Sequence, residues 1–174
     1  MNDQGTVRGI DHVGVTVPDI EAATAFLIAA LDAEVLYDTL RRADGPKDGP
    51  SMHAHLGVPE GTEELAIRML RLPNGPGLEL FEFRGPYRRE PVLPSDLGWQ
   101  HLALYVEDVE AAARKVAEAG GIVLDEPKPL PALESGERNK MQYCRTPWGS
   151  TIELITYPDP QPYEHETKRR RWTP

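Results

Sequence analysis

Gly9-Ile10-Asp11-His12-Val13-Gly14-Val15-Thr16-Val17-Pro18-Asp19-Ile20-Glu21-Ala22-Ala23 returns later in the chain as Gly98-Trp99-Gln100-His101-Leu102-Ala103-Leu104-Tyr105-Val106-Glu107-Asp108-Val109-Glu110-Ala111-Ala112. Glycine, histidine, aspartate, glutamate and both alanines coincide at an offset of 101 − 12 = 89, which Asp19 and Asp108 keep. A second pairing sets Leu72-Pro73-Asn74-Gly75-Pro76-Gly77-Leu78-Glu79-Leu80 against Thr146-Pro147-Trp148-Gly149-Ser150-Thr151-Ile152-Glu153-Leu154, at an offset of 153 − 79 = 74. Self-similarity of this kind marks one structural unit written twice. The offset drops by 89 − 74 = 15, so the first copy holds 15 more residues between its histidine and its glutamate. Arg41 to Gly61, dense in glycine, proline and charge, is where they fall, and it reads as a loop with the character of a lid.

Val13, Val15 and Val17 alternate with His12, Gly14 and Thr16, as Leu102, Leu104 and Val106 do with His101, Ala103 and Tyr105, which is the period of a strand. Asp19 and Asp108 stand at N-cap positions. Behind them Ile20, Ala23, Leu27, Ala30 and Leu31, and Val109, Ala112, Val116 and Ala119, recur at helical spacing. Leu65–Leu72 and Leu78–Phe83 form a hairpin pattern across a proline-glycine turn, repeated by Lys140–Thr146 and Thr151–Thr156. Each unit is thus a βαβββ module. The fold expected is α+β, two such modules spanning residues 8–86 and 97–158 and forming a curved mixed sheet around a metal-containing cleft, with residues 159–174 as a C-terminal tail. Together the modules make one domain.

The helices need an aliphatic sheet face, and the valine and leucine side is the one each copy offers. Parity leaves His12, Glu79, His101 and Glu153 on the opposite, helix-free face. A carboxylate on a face shared with Phe81 and Phe83 is costly to bury without a cation. Two imidazoles and two carboxylates at equivalent positions of a repeat therefore read as a metal site. That nitrogen and oxygen set suits zinc, nickel, cobalt, manganese or ferrous iron better than copper(I), calcium or magnesium. Phe81, Phe83, Tyr105 and Trp148 are the expected lining of a substrate pocket. His53, His55 and His165 sit in loop or tail segments without a repeated counterpart and are read as solvent-facing or lid residues.

With 174 residues, 40% of them hydrophobic, the chain is long enough to bury a core. A formal charge of −9 opposes nucleic acid and anionic membrane as partners. Lys168-Arg169-Arg170-Arg171-Trp172 is the exception, a basic end that, with Tyr163, is expected to dock as a strap. Cys144 is alone, which excludes an intrachain disulfide and a cysteine zinc cage. Met1-Asn2-Asp3-Gln4-Gly5 lacks the pattern of a signal peptide, and no later run is apolar for long enough to cross a bilayer. A cytoplasmic protein acting on a small molecule is expected.

Ile10-Asp11-His12-Val13 with Val17-Pro18-Asp19, Gln100-His101-Leu102 and Ile152-Glu153-Leu154 resemble the vicinal oxygen chelate superfamily of glyoxalases, epimerases, extradiol dioxygenases and bleomycin-resistance proteins. The resemblance covers about residues 8 to 158 and implies His12, Glu79, His101 and Glu153 as ligands of a divalent metal (zinc, nickel, cobalt, manganese or iron). It also implies modules paired within one chain or exchanged across a homodimer, and a homodimer is expected. The second copy is similar to methylmalonyl-coenzyme A epimerases through Asp125-Glu126-Pro127-Lys128 and Tyr157-Pro158. Those epimerases have glutamine where Glu79 stands, and their further acid/base glutamate finds Ile67 or Arg68 here. Glyoxalase I has a similar ligand set, but no glutathione-binding pattern is recognisable in this chain.

Glu79 fills a coordination position that oxygen chemistry would want open, which tilts the expectation to redox-neutral chemistry. The reading is a metal-dependent isomerase or lyase that takes its substrate through vicinal oxygens and forms an enediolate, with Glu79 or Glu153 as the base. The alternatives are a natural-product binding or resistance protein of the same fold and an extradiol-type dioxygenase.

Overall fold

Alternation along β1 (His12–Val17) has the expected sense in the computed structural model, which describes residues 7–173: Val17 is fully buried while His12, Gly14 and Thr16 are exposed. The opening segment Met1–Gly5 lies outside the described residues. Helix α1 (Ile20–Leu31) follows the strand, then β2 (Glu34–Leu40), helix α2 (Pro50–Leu56), β3 (Glu63–Arg71) and β4 (Gly77–Arg84). The first sheet runs β1-β4-β3-β2, with β1 parallel to β4 and the other pairs antiparallel.

In the second copy, β5 (Leu102–Tyr105) leads into α3 (Val109–Glu118), where Asp108 accepts the Ala111 N–H at 2.8 Å and so acts as the N-cap. Two short strands, β6 (Ile122–Val123) and β7 (Lys128–Pro129), precede β8 (Lys140–Arg145) and β9 (Thr151–Thr156). The order β5-β9-β8-β6, with β7 also on β8, reproduces that of the first sheet. The protein is therefore α+β, with two mixed sheets, three α-helices and no closed barrel among the described residues.

The register repeats as well as the order. Glu79 pairs with Gly14 on β1 and Met69 on β3, and Glu153 pairs with Ala103 on β5 and Tyr143 on β8. The same two offsets relate these partners: 14 + 89 = 103 and 69 + 74 = 143. Behind the strands, Leu70, Leu78 and Leu80 are buried in the first module, and Cys144, Ile152 and Leu154 in the second. Each fully buried aliphatic side chain contributes roughly 1.5–3 kcal/mol by leaving water.

Helix α3 covers its own sheet through Val109, Ala113 and Val116; Val109 and Val116 are as read from the sequence, while Ala113 takes the place expected for Ala112. The body of α1 does not follow that reading. The chain up to Glu21 with Ala33–Tyr87 makes one compact unit, while Ala22–Asp32 groups with the residues from Arg88 onward. Within that second unit Phe26 meets Trp148 edge-on at 5.4 Å, and Asp32 pairs with Lys115 at 2.8 Å.

The stretch expected to be a loop, Arg41 to Gly61, contains a 3-10 turn (Arg42–Asp44) and α2. Helix α2 begins on Pro50, whose missing N–H costs nothing at a first turn, and closes on Gly57 at φ 66°, a left-handed position natural to glycine. His53 in this helix holds the Thr62 carbonyl through Nε2 at 2.9 Å, so its ring clips α2 to the start of β3. No helix among the described residues is long and apolar enough to cross a membrane.

Candidate metal and active site

In the first module the residue directly across from Glu79 is Gly14, so no side chain stands between the carboxylate and the imidazole two residues back on β1. His12 Nε2 lies 3.3 Å from Glu79 Oε2, and His12 Nδ1 lies 2.7 Å from Asp11 Oδ2. Asp11 is an acceptor only, so Nδ1 carries a proton and Nε2 is the ring nitrogen that faces Glu79. The hydrogen bond to Asp11 holds the His12 pKa above its usual value, with Glu79 acting in the same direction and desolvation against it. Phe81 and Phe83 stack at 5.8 Å on the same face, the Phe81 ring 3.4 Å from where a Cβ on Gly14 would lie.

The second module repeats this with different neighbours. Ala103 stands across from Glu153, and His101 Nε2 lies 3.0 Å from Glu153 Oε2. Gln100 Nε2 donates to the Pro94 carbonyl at 2.7 Å, which turns its Oε1 toward His101 Nδ1 at 2.9 Å. The amide oxygen fixes the same tautomer that Asp11 fixes in the first copy. Tyr143, across from Glu153 on β8, meets the His101 ring at 5.4 Å. Burial raises the pKa of Glu153, against the pull of His101; Glu134 raises it further and Arg171 lowers it. Burial likewise raises Tyr143, with Glu153 and Glu134 adding to the shift.

Each module thus sets an imidazole Nε2 beside a carboxylate oxygen, a pair held together by a proton on Nε2 or by a metal ion shared between the two atoms. Adjacent ligands of a metal with bonds of about 2.1 Å are roughly 3.0–3.4 Å apart, so separations of 3.0 and 3.3 Å fit a shared ion. The donor set fits the divalent metal that the resemblance implies. The structure brings the four expected ligands together as two pairs. No group of three or more His, Cys, Asp or Glu is placed to hold a metal ion among the described residues.

Of the expected pocket lining, Phe81 and Phe83 share the Glu79 face, Tyr105 meets Tyr157 edge-on at 4.8 Å, and Trp148 lies against Phe26. Sequence reasoning missed Asp11 and Gln100 as orienting partners, although both stand in the repeated motif immediately before the histidines. It also missed Tyr143, which the hairpin register places opposite Glu153. Arg145 and Thr151, paired two steps further along the same strands, hold a buried Nε and a buried Oγ1 without a hydrogen-bond partner among the described residues. Glu82 is a structural residue. Its buried carboxylate accepts the Ile20 N–H at 2.9 Å and Arg42 Nη2 at 2.6 Å, tying the start of α1 to the turn after β2.

The model of the Glyoxalase/Bleomycin resistance protein/Dioxygenase superfamily matches residues 9–154. The chain is 38% identical over 168 residues to a 2-epi-5-epi-valiolone epimerase from an Actinomyces species, covering 95% of this chain and 88% of that protein. This likeness supports an enzyme of the isomerase type. Among solved structures, a glyoxalase family protein from Bacillus cereus matches with a TM-score of 0.66 at 17% identity, over 88% of this chain and 97% of that one. A mutant fosfomycin resistance protein from Listeria monocytogenes, in complex with Mn(II) and 1S,2S-dihydroxypropylphosphonic acid, matches at 0.59 and 15%, over 93% of this chain and 100% of that one. These two structures support the fold.

Proposed function

Because the chain belongs to the Glyoxalase/Bleomycin resistance protein/Dioxygenase superfamily, we propose that it is a metal-dependent cytoplasmic epimerase acting on a ketone with a hydroxyl on the neighbouring carbon. 2-epi-5-epi-valiolone, for which the 38% identical relative is named, is the first such ketone to test. The observation that carries the reading is the duplicated pair, His Nε2 against Glu Oε2 with Nδ1 held from behind, at 3.3 Å and 3.0 Å. In this reading residues 8–86 and 97–158 act as one domain. His12, Glu79, His101 and Glu153 hold one divalent ion, zinc, nickel, cobalt, manganese or iron.

When bound, such an ion supplies a Lewis acid that polarises a carbonyl and favours charge developing on its oxygen. The chain's residues supply the proton transfer. A stereocentre beside a carbonyl inverts when its proton is removed from one face and returned to the other, through an enediolate. That calls for two carboxylates, and the repeat provides one in each module. Burial raises the pKa of Glu153, and basicity rises with pKa, which supports Glu153 as the base. Glu79 is its counterpart on the opposite proton transfer. Tyr143, facing Glu153 beside His101, shields that carboxylate from water. Asp11 and Gln100 keep the imidazoles in the liganding tautomer.

A homodimer belongs to the same reading. Ile10 and Trp99, equivalent residues two positions before the two histidines, are 72% and 96% exposed, which suits a surface covered by a second copy. The test of function is deuterium wash-in and epimer formation from 2-epi-5-epi-valiolone in heavy water, followed by NMR. The wild type is expected to incorporate one deuterium beside the carbonyl and Glu153→Gln to bind the ketone without exchange. Full exchange by Glu153→Gln contradicts the assignment of the base.

A further inference from the structure

Glu153, Ile155 and Tyr157 follow one another at two-residue steps, so the helix-free face of β9 continues past the strand end onto the Tyr157 ring. The C-terminal segment returns to that ring. The Arg171 guanidinium carbon sits 4.7 Å from the ring centroid, the Tyr157 hydroxyl donates to the Trp172 carbonyl at 2.9 Å, and the Arg171 N–H donates to the Tyr163 hydroxyl at 3.0 Å. Arg171 Nη1 closes the loop onto Glu134 Oε1 at 2.5 Å. The docking expected for this tail is therefore made by Arg171, Tyr163 and backbone groups, while the Trp172 ring stays largely in solvent.

The root of this strap is built into the fold. Asn139 is fully buried and donates to the carbonyls of Glu134 and Asp159 at 3.1 and 3.2 Å, while accepting the Asp159 N–H at 2.9 Å. Gln161, also buried, donates to the same Glu134 carbonyl at 3.3 Å. Two buried amides thus converge on the turn that presents Glu134 and on the residues where the strap begins. That turn also holds Ala132 at φ 47°, a left-handed conformation that a residue with a Cβ adopts at a cost.

We propose that the strap is a wall of the second module's site and that Arg171 is a substrate-binding residue, placing its guanidinium on an oxygen of the ketone beside Glu153. The proposal rests on the epimerase reading. The only side-chain hydrogen bond of Arg171 among the described residues is to Glu134, so Nε and Nη2 keep donors for a ligand. A guanidinium fork suits two neighbouring oxygens on adjacent carbons, the pattern the proposed substrate carries. Neighbouring Arg170 is turned elsewhere, to Glu164 at 3.3 Å and the Thr167 carbonyl at 2.8 Å.

The experiment compares full-chain wild type, Arg171→Met, Arg171→Lys and Arg170→Met in steady-state turnover of 2-epi-5-epi-valiolone, with hydrogen exchange over residues 161–172 as a check on docking. Arg171→Met is expected to raise KM about 10-fold or more with kcat changed less than about 3-fold, as for loss of a charge-assisted contact to substrate. Arg171→Lys, which keeps the charge and the docked strap but loses the fork, is expected between the two, and Arg170→Met at the wild-type KM. An active wild type with an unchanged KM in Arg171→Met overturns this proposal alone. So does a wild-type KM in Arg171→Lys when Arg171→Met loses the strap's exchange protection, since the effect is then one of docking. A wild type inert toward the ketone, with metal bound, overturns the epimerase reading and this proposal with it.

Discussion

In the first module the side chains of His12 and Glu79 are 39% and 21% exposed and the imidazole is steadied by a charged residue, Asp11. In the second, His101 and Glu153 are 25% and 9% exposed, the imidazole is steadied by a neutral amide, and a tail folds over the adjoining face. The pair itself is the part of the duplication that both copies keep, held by the same register and by a small residue opposite the glutamate, Gly14 in one and Ala103 in the other. Its surroundings have diverged: Met69 against Tyr143 across from the carboxylate, stacked phenylalanines against interlocked tyrosines. The difference teaches that one register, written twice, sets the same pair at two depths, with burial raising the pKa of the deeper carboxylate, Glu153.

The largest break expected in this comparison comes from the carboxylates. Glu153→Gln should lower turnover about 10³-fold, within the range for a lost general base, and Glu79→Gln by a smaller factor. Equal losses would remove the distinction between the modules. Next in size is a structural asymmetry. Glu82→Ala strips Arg42 and the Ile20 N–H of a buried acceptor and should cost about 2–3 kcal/mol in urea unfolding. Thr156→Ala, at the equivalent place in β9 (82 + 74 = 156), should cost about 1 kcal/mol or less.

Gly77→Ala gives a smaller effect than Glu82→Ala and a more local one. A Cβ there would lie 3.0 Å from Met69 Sδ, 3.2 Å from the Leu70 carbonyl and 3.4 Å from His12 Cβ. It is expected to displace Met69, which stands across from Glu79, and so weaken metal affinity about 10-fold by titration, the size of effect seen when a ligand's support is disturbed. Thr151, the equivalent residue in the second module, already carries a side chain at that place, so Thr151→Ala should leave affinity unchanged.

The strands that hold the pairs were readable because alternation, repeat and turn chemistry agree there; β1, β3, β4, β8 and β9 lie where the pattern puts them. Strand β2 was not, since Val35, Leu36 and Tyr37 are all exposed and leave no alternation to read. Strands β6 and β7, at two residues each, are shorter than any period. Helix α2 hid behind the glycines and prolines that begin and end it. Glu82 was invisible for a different reason: its partner Arg42 lies 40 residues away, and only the fold brings a charge on the aliphatic face to it. The strap's basic residues were legible as a docking tail, but which of them docks depends on the buried Asn139 and Gln161 hub, which has no local signature.

The most direct test of the central claim, that each copy contributes one imidazole and one carboxylate to a single site, is metal stoichiometry by mass spectrometry on protein purified without chelator. The wild type is expected to hold one divalent ion per chain, and His12→Ala and His101→Ala each to lose most of it, at wild-type folding by circular dichroism. Full occupancy in either variant would contradict a site shared between the copies.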